Sequence, residues 1–353
     1  MYSIAKASPE ERDTLFENTA AKKGINAAIV EKDFWVVLTL DFLFHHSPWK
    51  DHLAFKGGTS LSKAYNLIER FSEDIDLILD WRLLGYAKDE PWREMSNTKL
   101  GNFIEEAHKR EDDFFRDVIT PWLKEGLTDI IDENANVYYD RSQAEPNEPG
   151  FVCFEYPGSY SDPSILRAIR LELGALASWT PTQKASFSSY AAEEYPHVFQ
   201  QGSTEVLTTT AERSFWEKAT ILHREAMRTP NQKEISPRYS RHYYDMYCMS
   251  KQGVCEQAMA QPDLLEKVAE FKDRFYHQGW AKYNLARIGT IKLLPAVISM
   301  DALRNDYAEM KPMIYGYYPS FDEILDTMEI LEERSNGTLE TGKLTWDDVI
   351  KDG

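Results

Sequence analysis

Residues 55–80 read FKGGTSLSKAYNLIERFSEDIDLILD. A short apolar run ends in Gly57 and Gly58, a segment of helical spacing follows, and two aspartates then interrupt a second apolar run. Ile75, Leu77 and Leu79 alternate with Asp74 and Asp76, which predicts a strand over 71–80 with both acids on one face. Upstream, LAFKGG (53–58) reads as a short buried strand closed by glycines. TSLSKAYNLIER (59–70) carries Leu61, Ala64, Tyr65 and Ile68 at helical spacing and predicts a helix. Two explanations of the acids stand open: an edge strand with one solvated face, or carboxylates that hold something.

Working outward, Ser8-Pro9-Glu10-Glu11 has the form of a capping box with proline at the first helical position, and Gly24 supplies a stop. A second helix is expected after Asn26 through IVEKDFWVVLTLDFLFHH. Residues 81–160 read as an elaboration: a charged helical stretch at about 96–125, then VYYD (137–140) and FVCFEY (151–156) as strands around the polar loop SQAEPNEPG. LRAIRLELGAL (166–176) alternates again, with Ile169, Leu171 and Leu173 opposite Arg170 and Glu172. A helix is expected from Thr210 to about Arg228, another over 238–250, and helices with short connections from about 257. Trp346, Val349 and Ile350 suggest that the C-terminal end docks.

The chain has 353 residues, 42% hydrophobic and 28% charged, which is the balance of a water-soluble globular protein with ample material for a core. Its longest apolar clusters, such as FWVVLTL (34–40), are too short to span a bilayer, and no signal peptide is read at the N-terminus. Three cysteines without metal-ligand spacing fit a reducing cytoplasm. Forty Lys and Arg against 58 Asp and Glu give a net charge of −18, so the surface as a whole does not attract nucleic acid. The most basic region is 213–242, with Arg213, Lys218, His223, Arg224, Arg228, Lys233, Arg238, Arg241 and His242. It reads either as a solvated helix face or as a local nucleic-acid patch.

Asp74 and Asp76, at i and i+2, project from one face roughly 7 Å apart at Cα. That suits Mg²⁺, which is commonly held by one or two carboxylates plus substrate phosphates. The strand–Gly57-Gly58–helix turn offers backbone N–H groups to a triphosphate. Thr59 and Ser60 can add hydroxyl donors, and Lys56, Arg70 and Ser72 can steer phosphates or orient the acidic strand. Glu172 is the natural third carboxylate, its ordinary alternative being a salt bridge to Arg170.

GGTSLSKAYNLIERFSEDIDL resembles the signature of the nucleotidyltransferase AbiEii/AbiGii toxin family, within the DNA polymerase β-like nucleotidyltransferase superfamily. VEKDFWV (30–36), RSFWEKATILHREA (213–226) and RHYYDMY (241–247) resemble further segments of it, so the matches run from about 30 to 250. The resemblance implies an α+β fold: a small mixed-sheet nucleotidyltransferase core with flanking helices and a mostly helical C-terminal half. It divides the chain into 1–205, with 81–160 as the elaboration, and a helical 206–353 contributing to the active-site cleft. Asp74 and Asp76 would bind the metal, Lys218 would place a point charge on a phosphate, and Asp245 would act in the active site unless it simply pairs with Arg241 one turn away. Arg241 and His242 are candidate nucleotide contacts, with His223 a further option, and Glu172 stands where the family is variable. Glu31, Lys32 and Asp33 recur in the resembling motif, with no role evident beyond bracing the sheet. The implied activity is Mg²⁺-dependent transfer of an NMP from an NTP, by the toxin of a toxin–antitoxin or phage-defence system restrained by a cognate antitoxin. The implied acceptor is tRNA. A protein side-chain hydroxyl, or a nucleotide-binding module without turnover, are the alternatives.

Overall fold

The computed structural model describes residues 1–131, 133–142, 144, 148–163, 165–175 and 181–337. Trp346, Val349 and Ile350, Leu176, and much of the SQAEPNEPG loop lie outside the described residues. The chain forms two compact units: residues 1–64 with 72–209, and residues 65–71 with 210 onward.

The first unit holds helices α1 (Tyr2–Ala5), α2 (Pro9–Lys23), α3 (Ala27–His46), α4 (Gly57–Lys63), α5 (Asn97–Phe114), α6 (Thr120–Ile131) and α7 (Tyr190–Glu194). Its strands are β1 (Leu53–Lys56), β2 (Ile75–Leu79), β3 (Asn136–Asp140), β4 (Phe151–Glu155), β5 (Ile169–Gly174), β6 (Thr182–Ser188) and β7 (Ser203–Thr209). The capping box at Ser8 and the left-handed Gly24 delimit α2, and the Asn26 side chain accepts from Ala28 N to start α3. Every residue of α3 from Ala28 to Phe44 is buried, against β5 and β7 on one side and α2 on another. Among the described residues no helix is long and apolar enough to cross a membrane.

The sheet runs β3-β4-β5-β2-β1-β7-β6. β2 lies in the middle, antiparallel to β1 and parallel to β5, which excludes the edge-strand explanation of Asp74 and Asp76. Its far end is buried on both faces, since the alternating Leu77, Ile78 and Leu79 are all buried. The sheet is larger than the sequence reading, which did not see β6 and β7. Nor is 81–160 merely appended to it, because β3 and β4 complete one end of the same sheet.

The expected helix 59–70 is corrected: α4 stops at Lys63, Asn66 takes a left-handed φ of 52°, and residues 65–71 belong to the second unit. There, Phe71 N donates to Met313 O at 2.8 Å and Tyr315 N to Glu69 O at 3.0 Å. Such pairings satisfy the backbone of a segment that leaves its helix. Among the described residues this unit's α-helices are α8 (Ala211–Ala226), α9 (Arg241–Lys251), α10 (Val254–Met259), α11 (Pro262–Phe275), α12 (Met300–Glu309) and α13 (Phe321–Ser335). Thr210 caps α8 by accepting from Arg213 N.

Candidate active site

In the first unit the register brings three of the expected side chains into one row. Lys56 on β1 is the Cα partner of Asp76 on β2, and Asp76 is the partner of Glu172 on β5. The chain leaves β1 through Gly57, whose φ of +80° suits glycine, and a Cβ built there would lie 1.8 Å from Asp76 Oδ2. The glycine turn and the acidic strand are therefore one construction: the missing side chain makes the seat for the Asp76 carboxylate.

Asp74 immediately precedes β2 and is held from β5. Arg170 Nε donates to its Oδ1 at 3.0 Å and Nη2 to Oδ2 at 2.9 Å. Arg170 thus pairs with Asp74 and not with its strand neighbour Glu172, because residues i and i+2 lie side by side on the sheet face while a parallel partner stands opposite. Glu172 is exposed. Among the described residues no three His, Cys, Asp or Glu side chains converge as a metal set.

Thr59 and Ser60, the expected hydroxyl donors, have partners within the unit. Both are buried; Thr59 Oγ1 donates to Asp74 O at 2.5 Å and lies 3.0 Å from Ser72 Oγ, while Ser60 Oγ donates to Gly57 O at 2.9 Å. Their hydroxyls, with Ser72, brace the turn against the acidic strand. Lys56, Gly57 and Gly58 remain half-exposed.

The consecutive charges Glu31, Lys32 and Asp33, all buried in α3, turn out to anchor three different segments of this unit. Glu31 accepts from Ser159 N at 2.8 Å and Tyr160 N at 3.3 Å. Lys32 Nζ contacts Glu73 Oε2 at 2.8 Å and donates to Leu166 O at 2.7 Å, fixing the residue just before Asp74. Asp33 pairs with Lys63 at 2.7 Å and accepts from Tyr190 N at 2.6 Å, tying down the end of α4. Buried charges need compensation: Lys32 and Asp33 are ion-paired and hydrogen-bonded, and Glu31 accepts two backbone N–H bonds. VEKDFWV carried this signal as three charges inside an apolar helix; their partners, distant in sequence, could not be read.

The second unit gathers Lys218 on α8, Asp245 on α9 and Arg70. Lys218 Nζ lies 2.6 Å from Asp245 Oδ2, and Arg70 grips the same carboxylate through Nε at 2.7 Å and Nη2 at 2.8 Å. All three are at most 8% exposed, which makes this a buried ion cluster. Asp245 therefore pairs with Arg70 and Lys218, and not with the exposed Arg241 one turn away. Burial pushes its carboxyl up, but the two cations outweigh burial and hold it well below the ordinary range. Burial pulls the Lys218 ammonium down, Asp245 opposing that pull and Arg70 adding to it.

His242 is half-buried, and its Nδ1 has no hydrogen-bond partner among the described residues. Burial, with Lys218 and Arg241 nearby, lowers its pKa well below the usual value and keeps the ring neutral. His223, the further option for a substrate contact, is buried, with Nε2 3.1 Å from Lys282 O, and Nδ1 accepts from Lys292 N at 3.0 Å.

The basic stretch 213–242 is largely consumed internally. Arg213, Lys218 and His223 are buried, and Arg224, Arg228 and His242 are half-buried. Arg213 pairs with Glu217 at 2.8 Å and Arg228 with Glu225 at 2.7 Å. Of the nine side chains, Lys233, Arg238 and Arg241 are the exposed ones.

Residues 41–327 match the family model described as nucleotidyl transferase AbiEii toxin, type IV toxin–antitoxin system. No curated protein matches the chain. Among solved structures, it is similar to MenT4, a nucleotidyltransferase toxin from Mycobacterium tuberculosis H37Rv, at 14% identity and a TM-score of 0.40, over 95% of this chain and 98% of that one. That likeness is too loose to carry any residue role across. The family match spans most of the chain and includes both acidic sites, so the chain belongs to the AbiEii nucleotidyltransferase toxin family of type IV toxin–antitoxin systems, and it is a nucleotidyltransferase.

Proposed function

We propose that this nucleotidyltransferase transfers an NMP from an NTP to a hydroxyl of tRNA, with Mg²⁺ at Asp74 and Asp76, as a cytoplasmic toxin restrained by a cognate antitoxin and serving phage defence. The observation that carries the reading is the seat of Asp76 on Gly57, which joins a phosphate-cradling turn to an acidic pair. The two half-buried carboxylates offer hard oxygen donors only, and two suffice for an ion that takes its remaining ligands from water and phosphate. Bound there, the ion would supply charge neutralisation of the triphosphate. Gly57 and Gly58 present backbone N–H groups at the turn, and Lys56 adds a cation in the same row as Asp76. The acceptor oxygen bonds to the α-phosphorus and pyrophosphate leaves. In the other unit, Lys218 is assigned a phosphate-directed charge, held in place by Asp245. Arg241 and His242 are assigned nucleotide contacts.

A protein side-chain hydroxyl is the second reading. The net charge of −18 and the internal pairing of the 213–242 cations favour it. Incubating the protein with labelled NTPs and total cell extract separates the two by whether label enters RNA or protein. Asp74→Ala, Asp76→Ala and Lys218→Ala are each expected to abolish incorporation. Undiminished incorporation by the aspartate variants overturns the reading.

A further inference from the structure

The geometry points to Arg170 as a competing counter-ion for the metal-binding carboxylate: a divalent cation at Asp74 must compete with a guanidinium that already grips both of its oxygens. This rests on the assignment of Asp74 and Asp76 as metal ligands, and goes beyond it by naming a residue that tunes the affinity of that pair.

The contact is bidentate, at 3.0 and 2.9 Å, the arrangement in which arginine binds carboxylate with most geometric specificity. The guanidinium also lies over the Phe151 ring at 5.1 Å, a cation–π contact that holds it beside the acids. Arg170 is fixed by register, because Ile75 pairs with Leu171 and Asp76 with Glu172, which places Arg170 opposite Asp74. It also offsets the mutual repulsion of Asp74, Asp76 and Glu172 on adjoining positions.

The molecule contains its own comparison. Arg70 and Asp245 make the same bidentate pair, but their side chains are 5% and 0% exposed. Arg170 and Asp74 are 27% and 25% exposed. The first pair is sealed, and opening it would bury an unpaired charge. The second is open to water, so a dissolved ion can reach the carboxylate and the released guanidinium can remain solvated. Two like pairs thus divide into a structural pair and an exchangeable one.

The test is Mn²⁺ binding to the full chain without nucleotide, measured by electron paramagnetic resonance of the free ion. Wild type, Arg170→Met, Arg170→Lys and Asp74→Asn are compared, with circular dichroism as the check on folding. Arg170→Met is expected to tighten Kd on the order of tenfold, which is about 1.4 kcal/mol. Arg170→Lys should tighten it less, because one ammonium still competes, and Asp74→Asn should lose binding. If Asp74→Asn loses Mn²⁺ but Arg170→Met binds it no more tightly than wild type, the counter-ion role is wrong and the metal assignment stands. If Asp74→Asn binds Mn²⁺ like wild type, the metal assignment is wrong and the inference falls with it. Should Arg170→Met fail to fold, Arg170→Lys decides by the same comparison: tighter binding supports the role, and unchanged or weaker binding overturns it.

Discussion

Asp245→Asn provides a demanding test of the buried cluster. In the folded protein one carboxylate bridges Arg70 and Lys218 through contacts of 2.6 to 2.8 Å, with all three residues at most 8% exposed. Asparagine keeps the shape but removes the charge and turns an N–H group toward cations. Two buried positive charges then face each other without compensation, a defect worth about 3–5 kcal/mol. With a urea slope of about 2 kcal/mol/M, the unfolding midpoint should fall by roughly 2 M. Lys218→Met should cost far less, about 1–2 kcal/mol, because Asp245 keeps its bidentate partner Arg70. Combining the two should recover part of the loss, since one stranded cation remains in place of two. Urea titration followed by circular dichroism measures all three variants. If Lys218→Met lowers the midpoint as much as Asp245→Asn, the charge accounting is wrong. Acid probes the same cluster: a depressed carboxyl contributes stability above its unfolded pKa of 3.8 and loses it as pH falls toward the lower folded value.

Two further outcomes follow from the first unit. Gly57→Ala should abolish nucleotidyl transfer, because the new Cβ would sit 1.8 Å from Asp76 Oδ2 at a φ of +80°; labelled-NTP incorporation near the wild-type rate would refute the seat assigned to Asp76. Glu111 is buried on α5 and accepts from Ala175 N, and burial raises its pKa from 4.5 to about 8, against the backbone bond and Lys56, which lower it. Its protonated form is favoured on folding, so its contribution is intact below pH 4.5 and declines as pH rises to about 8, by up to roughly 5 kcal/mol. Glu111→Gln should flatten that decline and be the more stable protein at pH 8.5; urea midpoints with the same pH slope in both proteins would count against it.

Local chemistry was legible in the sequence, and long-range partnership was not. Ser8, Gly24, Asn26 and Thr210 mark helix ends because a cap is decided within four residues. The alternation at 75–79 and 169–173 showed through because each strand has a buried face. β6, TQKASFS, escaped because most of it is polar and half or fully exposed, and β7 because its buried positions include Thr204, Thr208 and Thr209. At the candidate site, the acids and glycines were visible but their partners were not. The local alternative for Glu172 is a salt bridge to Arg170, two residues away, and Arg170 pairs instead with Asp74, 96 residues away. The local partner that helical spacing offers Asp245 is Arg241, and the structure gives it Arg70, 175 residues distant, instead. Helical periodicity carried the reading past Lys63 because Tyr65 and Ile68 fit the pattern, whereas the segment 65–71 makes its hydrogen bonds with residues around 313–316.

The membership of residues 65–71 in the second unit sets an order of events during synthesis. Arg70 emerges from the ribosome early, but the carboxylate that neutralises it is 175 residues downstream. At roughly 5–20 residues per second, that arginine waits on the order of 10–35 s for its partner. The pairing of β1 with β7 imposes a similar delay, since Phe55 must wait for Thr208. A nascent chain of this protein therefore cannot finish either unit piecemeal, and the glycine turn and acidic strand are translated well before the fold that surrounds them can close.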